Sequence, residues 1–208
     1  MELKVYNALR FYNSIEEFEK DCFHRLTNFH WESDPPYRPN TYFKMGVVGD
    51  DLVAKLQCYE ENPRAVFENR DDPMYLDSCL EFFVAPVEGR AEYVNVESNS
   101  KGAFLCEFGD GKYNRRLCAD LTELSPIVES FSGNDENGSY WGVKVELTKA
   151  FICSIYNCND FSYGIIRANF YKCGDDCDIQ HYIAFAPVTT LPPGFHNPDC
   201  FMEFKRSI

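Results

Sequence analysis

The chain has 208 residues, of which 45% are hydrophobic, 16% aromatic and 25% charged, which is the composition of a folded globular protein. Its formal net charge of −13 argues against a nucleic-acid-binding or membrane-binding surface, because both of these partners are also negatively charged. All-β domains often reach this length as one unit, so we expect residues 1–208 to form a single domain.

The start of the chain lacks the features of a secretory signal. No basic segment followed by a long apolar stretch is visible there, and no run in the sequence reaches transmembrane length. We therefore expect a cytoplasmic location. Ten cysteines would suggest disulfides in a secreted chain, but without an export signal we expect most of them to be buried thiols.

The first predicted element is a short helix near the N-terminus. Ser14 and Glu17 have the spacing of a capping box, in which each residue bonds to a free backbone group of the first turn. Apolar residues then recur at helical spacing, which predicts one amphipathic helix. These residues are Ile15, Phe18, Cys22 and Leu26.

From Thr41 onward the hydrophobic period changes to two. In the run 52–58 the even-numbered residues are apolar, and a Gly-Asp-Asp turn at 49–51 precedes it, which predicts a β-hairpin. Segments rich in Gly, Pro, Asn and Asp separate the further predicted strands. These strands are 80–85, 91–97, 103–108, 141–147, 165–171, 182–187 and 201–204.

Two further segments complete the prediction of the fold. Residues 122–139 are rich in Ser, Asn, Gly and Glu, so we expect a long surface excursion there, and a short helix is expected from Thr148. Many short strands without alternating βα units indicate an all-β fold. We predict a two-sheet antiparallel β-sandwich, similar to a jelly roll, with a short N-terminal helix.

Three of the predicted strands, 80–85, 91–97 and 165–171, have one apolar and one mixed face. If these strands share a sheet, the mixed face forms a platform of rings and hydrogen-bonding groups. Sugars need this combination, because their C–H faces lie on aromatic rings and their hydroxyls bond to planar polar groups. The ordinary alternative is a solvated outer face. The mixed face consists of Glu81, Phe83, Tyr93, Asn95, Glu97, Arg167, Asn169 and Tyr171.

A set of short segments occurs in a specific order along the chain. They are DSCLEFF at 77–83, YVNVE at 93–97 followed by Gly102, RANFYKCGD at 167–175, HY at 181–182 and PGFHNP at 193–198. In this combination they resemble the family 9-like carbohydrate-binding modules, over roughly residues 31–204. The resemblance implies a β-sandwich related to carbohydrate-binding modules, and it implies sugar binding.

In the xylanase-attached members of that family, two tryptophans clamp a terminal sugar ring. This chain has only Trp31 and Trp141, and Trp141 starts a strand on its apolar phase, so we expect it in the core. Trp31 lies in a loop-like stretch, and Tyr75 directly precedes the 77–83 segment. We expect Trp31 and Tyr75 to be the stacking rings.

We therefore predict a non-catalytic carbohydrate-binding protein whose ligand is a mono- or oligosaccharide. Asp77 is expected to hold the loop before its strand, since Asp at such a position often accepts bonds from nearby backbone amides. The expected polar contacts to the sugar are Arg64, Glu81, Asn95, Glu97, Arg167, Asn169, Lys172 and His181.

Two kinds of metal site are worth weighing. Cys173, Cys177 and His181, together with His196 and Cys200, include zinc ligand types, but their spacing is unusual for a structural zinc site. The resemblance also allows calcium, for which the acidic pairs at 50–51, 71–72 and 175–176 offer oxygen ligands. None of these pairs has a calcium-loop pattern, so we assign no metal residues and expect no other cofactor.

Two other classes of function stay open. Glu81 and Glu97 could form the carboxyl pair of a small glycoside hydrolase-like enzyme, which needs two carboxyl groups ~5–9.5 Å apart. Lys172 with His181 could also do acid–base chemistry. A flat exposed mixed face would instead indicate a protein-interaction module. A cleft with rings and convergent polar groups would favour the sugar-binding hypothesis.

Overall fold

The computed structural model describes residues 7–29, 31, 36–189 and 194–206. Within these ranges no helix is long and apolar enough to cross a membrane. Two α-helices are present, α1 (Ile15–Glu19) and α2 (Lys149–Tyr156). The strands are β1 (Asn7–Tyr12), β2 (His24–Arg25), β3 (Thr41–Val48), β4 (Asp51–Tyr59), β5 (Cys79–Ala85), β6 (Tyr93–Asn99), β7 (Phe104–Gly109), β8 (Arg116–Leu117), β9 (Ile127–Asp135), β10 (Gly138–Leu147), β11 (Ile165–Gly174), β12 (His181–Ala184) and β13 (Met202–Arg206).

The strands form two layers that are joined through β1. One layer has the order β8-β7-β6-β5-β11-β13, with β12 paired to β11, and the other has the order β3-β4-β10-β9, with β2 paired to β3. The first half of β1 pairs in parallel with β13 and its second half in parallel with β3. The predicted all-β sandwich is confirmed, but the two pairings of β1 are parallel. A strand that switches layers in this way forms a corner of the sandwich.

The core lies between the two layers. Phe43 of β3 stacks on Phe170 of β11 with ring centroids 3.7 Å apart, and Phe82 of β5 stacks on the same ring at 5.2 Å. Rings of this size each stabilise the fold by roughly 1.5–3 kcal/mol when fully buried. Trp141 is also in the core, as predicted, and it is 2% exposed.

Helix α1 is shorter than the predicted amphipathic helix. The Ser14 side chain accepts a bond from the Glu17 amide, which confirms the predicted N-cap. Where the helix ends, Lys44 Nζ donates to the carbonyls of Phe18 and Glu19, at 3.2 and 2.9 Å, and so satisfies groups that a longer helix would use. The chain then enters β2, and the predicted helix residues Cys22 and Leu26 lie on either side of this strand and outside any helix.

The expected surface excursion at 122–139 is wrong, because β9 and the start of β10 form a hairpin there. Gly138 directly follows the two-residue connection between the strands and adopts a φ of 116°. A glycine accommodates this angle because it has no Cβ. β9 is an edge strand with a largely exposed surface, so its sequence has no alternating hydrophobic signal. The predicted helix after Thr148 is confirmed as α2, and the Thr148 side chain caps it.

All ten cysteines are free thiols. Five of them are fully buried: Cys58, Cys79, Cys106, Cys118 and Cys173.

Candidate functional site

The three strands with a mixed face are neighbours in the order β6-β5-β11. Their register places Glu81 opposite Glu97 on one side and opposite Tyr171 on the other. The predicted platform therefore exists. Its side chains are buried, with Glu81 at 2%, Asn95 at 0% and Glu97 at 3% exposure, so the alternative of a solvated outer face is wrong.

The C-terminal segment covers part of this platform. Phe195 stacks on Tyr171 with ring centroids 4.0 Å apart, and the Tyr171 hydroxyl donates to the Phe195 carbonyl at 3.2 Å. Phe201 packs edge-on against Tyr93 at 5.1 Å. Among the described residues, the platform is consequently closed over its apolar part and open beside the two glutamates.

The uncovered part of the platform is a cleft of about 460 Å³. Trp31 forms one wall and stacks on Tyr182 with ring centroids 5.2 Å apart and an angle of 25° between the ring planes. Tyr75 stands at the cleft with 44% of its surface exposed. The cleft thus has an aromatic wall above a polar floor. Its lining residues are Trp31, Tyr75, Glu81, Glu97, Lys112, Cys173, Asp175, Tyr182, Gly194, Phe195 and His196.

Burial favours the protonated form of both glutamates on the floor. Burial raises the pKa of Glu97 to about 8, although the amide of Asn95 donates to Glu97 Oε1 at 2.8 Å and favours the charged form. Burial also raises the pKa of Glu81 well above its ordinary value, and the Cys173 thiol and Glu97 beside it act in the same direction. The floor therefore favours the neutral carboxylic acid form of both groups, which can donate as well as accept a hydrogen bond.

One oxygen of the floor has no partner. Glu97 Oε2 is the only buried side-chain nitrogen or oxygen within the described residues that lacks a hydrogen bond. An unpaired buried polar atom costs roughly 1–3 kcal/mol, so a group that completes this bond gains that free energy.

His196 lies over the same glutamate. Its Nδ1 is 2.9 Å from the Tyr93 hydroxyl, and its Nε2 is 3.9 Å from Glu97 Oε1. Burial, followed by the positive charges of Arg115 and Lys112, lowers the pKa of His196 to about 3. The imidazole is therefore neutral at physiological pH and can both donate and accept a hydrogen bond.

A sequence profile of Carbohydrate-binding family 9 matches residues 11–205. The chain belongs to carbohydrate-binding family 9. No curated protein matches it by sequence.

Solved structures of related proteins share this fold. A candidate carbohydrate-binding protein from Bacteroides uniformis is similar with a TM-score of 0.74 at 23% identity, over 99% of this chain and 98% of that one. A family 9 module from Caldicellulosiruptor kristjanssonii in complex with glucose has a TM-score of 0.59 at 12% identity, over 98% and 95%. A family 9 module from the same organism in complex with cellotriose has a TM-score of 0.54 at 12% identity, over 97% and 90%. At these identities the likeness shows the fold.

In this family 9 chain, Asp77 has the predicted structural role. It is fully buried and accepts from the backbone amides of Val66 and Phe67 and from the Asn99 side chain, at 2.9–3.0 Å. It also pairs with Arg64. Arg64 is thereby fixed beside the loop before β5 and does not line the aromatic cleft.

Lys172 and His181, which were expected at the sugar site, lie on the other side of the sheet. Side chains alternate along β11, so Lys172 points away from the face that carries Tyr171 and Cys173. Lys172 Nζ is fully buried, donates to Ser78 Oγ at 2.9 Å, contacts His181 Nε2 and is 3.8 Å from a carboxylate oxygen of Glu60. These residues form an internal polar cluster.

A second cleft of about 400 Å³ opens onto this internal cluster. His181 and Arg64 line it, and burial together with the charge of Lys172 lowers the pKa of His181 to about 4. The structure thus divides the predicted polar contacts between two clefts. The second cleft is lined by Tyr37, Glu60, Asn62, Arg64, Asp176, Cys177, Asp178, Ile179 and His181.

The remaining predicted contacts are outside both clefts. Asn169 is fully buried and bonds to the backbone of Ala186 through both ends of its amide, at 2.9 and 3.3 Å. Arg167 donates to the Arg90 carbonyl at 3.2 Å and lines a separate shallow pocket. Asn95 lies beside Glu97 on the same face of β6, donates to it and accepts from Arg115, so it holds the floor glutamate from one side.

The residues considered for metals are not gathered as expected. Within the described residues, one group places three His, Cys, Asp or Glu ligand atoms within 4.8 Å of one another. It consists of Cys79, Glu81 and Cys173. The five residues considered for zinc share only Cys173 with it. The acidic pairs considered for calcium contribute no residue to it, so the described side chains do not assemble an oxygen cage and calcium remains a prediction without residues.

Several cleft residues were not predicted from the sequence. Cys173 follows Tyr171 by two residues on β11, so alternation along this strand places it on the same face. Tyr182 is the register partner of Cys173 on β12. Phe195 and His196 lie in the PGFHNP segment, whose place over the platform depends on the tertiary fold. Lys112 and Asp175 lie in loops, where no periodicity indicates the direction of a side chain.

Proposed function

We propose that the chain binds a mono- or oligosaccharide in the cleft lined by Trp31, Tyr75 and the two floor glutamates, and releases it unchanged. The observation that carries this proposal is the combination of a half-buried ring, Trp31, and an exposed ring, Tyr75, with a buried floor oxygen, Glu97 Oε2, that has no partner among the described residues. A sugar matches both features, because its C–H face can lie on a ring while one of its hydroxyls bonds to the floor.

The rings of the cleft have different roles in this proposal. Trp31 is braced by Tyr182 and Phe195, both at 5.2 Å, so it offers a ring that loses little freedom when a ligand binds. Tyr75 is 44% exposed and gains the most from being covered. The two rings supply stacking area, whereas Glu81, Glu97 and His196 supply hydrogen bonds.

The state of the two carboxyl groups favours binding over hydrolysis. A glycosidase needs one carboxylic acid and one ionised carboxylate across the scissile bond. Burial raises the pKa of both Glu81 and Glu97, which disfavours the ionised carboxylate that this reaction needs as its base or nucleophile. The platform is also recessed in a cleft, which differs from the flat patch expected of a protein-interaction surface.

The test is isothermal titration calorimetry with a panel of sugars. Glucose and cellotriose come first, because the related family 9 modules were solved with these ligands. Trp31→Ala and Tyr75→Ala should each weaken binding at least about tenfold, since a lost stacking contact of this kind costs on the order of 1.4 kcal/mol. Tyr140→Ala is the matched control, because Tyr140 is a partly exposed ring on β10 in the other layer.

The outcomes separate the hypotheses. Binding that both cleft variants lose and the control keeps supports the proposal. Absence of binding for the whole panel, in the presence of calcium and in the presence of a chelator, would refute it. Release of a chromophore from aryl glycosides, abolished by Glu81→Gln, would instead establish the enzyme hypothesis. The expected cytoplasmic location stays a prediction that cell fractionation can check.

A further inference from the structure

Two buried thiols and a carboxyl group meet at the floor of the aromatic cleft. Cys79 of β5 and Cys173 of β11 are register partners on adjacent strands, and Glu81 follows Cys79 by two residues on the same face. The ligand atoms of the three residues lie within 4.8 Å of one another. All three side chains are at least 98% buried, with exposures of 0%, 1% and 2%.

The spacing of these atoms suits a four-coordinate ion. Zinc binds thiolate sulfur at about 2.3 Å, so two sulfur ligands of a tetrahedral site lie about 3.8 Å apart. The three ligand atoms lie within 4.8 Å of one another, so the two sulfur atoms need to approach each other by no more than about 1 Å to reach this separation. Cys173 Sγ donates to Glu81 Oε1 at 2.8 Å, and binding of a divalent ion would release to solvent the protons of Cys79, Cys173 and Glu81.

We propose that Cys79, Cys173 and Glu81 bind a thiophilic divalent cation of the zinc class at the floor of the cleft. Two thiolates with one carboxylate select zinc over calcium, because calcium prefers oxygen ligands only. Glu81 and Cys173 line the cleft, so the fourth position of the ion faces it and is filled by water.

The surroundings of the cluster favour a cation. Within the described residues Glu81 forms no ion pair, and Glu97 Oε2, on the register partner of Glu81, has no hydrogen bond. Three ionised ligands carry a charge of −3, which an ion of charge +2 reduces to −1. The backbone carbonyl of Tyr75 lies 3.5 Å from Cys173 Sγ and holds the thiol in place on its other side.

The inference does not depend on sugar binding, and its test contains no sugar. The full chain is stripped of metal with a chelator in the presence of a phosphine reductant, which prevents oxidation of the thiols, and Co²⁺ is then titrated as a spectroscopic substitute for zinc. We expect one equivalent to bind, with thiolate-to-cobalt charge-transfer absorption and the intense d–d bands of a four-coordinate ion. Zinc should displace the cobalt.

Variants identify the ligands. Cys79→Ser and Cys173→Ser should each lower the affinity by more than about 100-fold, and Glu81→Gln by about 10-fold or more. Cys153→Ser is the matched control, because Cys153 on α2 interacts with the Cys158 thiol just after that helix and, among the residues that the structure describes, belongs to no three-ligand group. Circular dichroism establishes that each variant is folded.

A second measurement covers the case in which a cysteine variant does not fold. X-ray absorption of the zinc-loaded wild-type protein should show two sulfur ligands at about 2.3 Å together with oxygen ligands. A first shell without sulfur, or with four sulfur atoms, would overturn the proposal. So would absence of stoichiometric cobalt binding, or a charge-transfer band that Cys153→Ser removes while Cys79→Ser and Cys173→Ser keep it.

Discussion

The protonated state of Glu97 makes a quantitative prediction for Glu97→Gln. Burial raises the pKa of this group from 4.5 to about 8. Below pH 4.5 the carboxyl group is protonated in both the folded and the unfolded chain. Between pH 4.5 and about 8 the unfolded chain releases the proton while the folded chain keeps it, so this group lowers the free energy of unfolding as the pH rises.

The magnitude follows from the size of the pKa change. A rise from 4.5 to about 8 corresponds to about 5 kcal/mol of folding free energy in full, of which roughly 3.5 kcal/mol is lost between pH ~5 and pH ~8. Glutamine cannot ionise but has the shape of the protonated acid. The variant should therefore keep the bond from Asn95 and should not show this loss.

The assay is urea denaturation of metal-free wild type and Glu97→Gln in a chelator-containing buffer at a series of pH values. The histidines with lowered pKa values contribute equally to both proteins, so they cancel in the difference. The variant should gain roughly 3.5 kcal/mol on the wild type as the pH rises from about 5 to about 8. A difference that stays constant over this range would show that Glu97 is ionised in the folded protein and would refute the reasoning.

Three further predictions concern other groups. Asp77→Ala should lower the free energy of unfolding by about 3 kcal/mol, because it leaves several buried donors without an acceptor. The control Asp50→Ala, at an exposed turn, should change it by less than about 0.5 kcal/mol, and denaturant titration measures both variants. Lys172→Met should raise the pKa of His181 from about 4, because it removes a neighbouring positive charge, and an NMR titration that finds no rise would contradict the geometry of the internal cluster. Arg167→Ala should change sugar affinity by less than about twofold, since Arg167 lies outside the cleft, and a larger loss in calorimetry would extend the site along β11.

Strand alternation was enough to predict the platform. In 80–85, 91–97 and 165–171 the apolar residues recur at every second position, and a period of two admits only one assignment of faces. The structure places these strands side by side with the predicted faces. The same rule places Lys172, the residue after Tyr171, on the opposite face of β11. The expectation that Lys172 shares a face with Asn169 could therefore have been rejected from the sequence alone.

Features that depend on tertiary contact could not be predicted in this way. Nothing local indicates that Phe195 covers Tyr171, because 24 residues separate them and the contact requires β12 and the C-terminal segment to fold back. The buried state of Glu81 and Glu97 follows from the same cover. Edge strand β9 is missed for a related reason, since a strand with one neighbour and a solvated surface needs no hydrophobic period.

The cover over the platform also affects how strongly the platform can bind a ligand. Polar groups on a solvated sheet bond to water, and a ligand that displaces this water gains little. The C-terminal segment and Trp31 exclude water from the platform except at the cleft, so the glutamates there are desolvated before a ligand arrives. Folding thus already supplies part of the desolvation that binding requires. In return, burial of Glu97 lowers the free energy of unfolding above about pH 4.5. A floor prepared in this way favours a ligand that brings hydroxyl donors and acceptors, or a cation, over an apolar one.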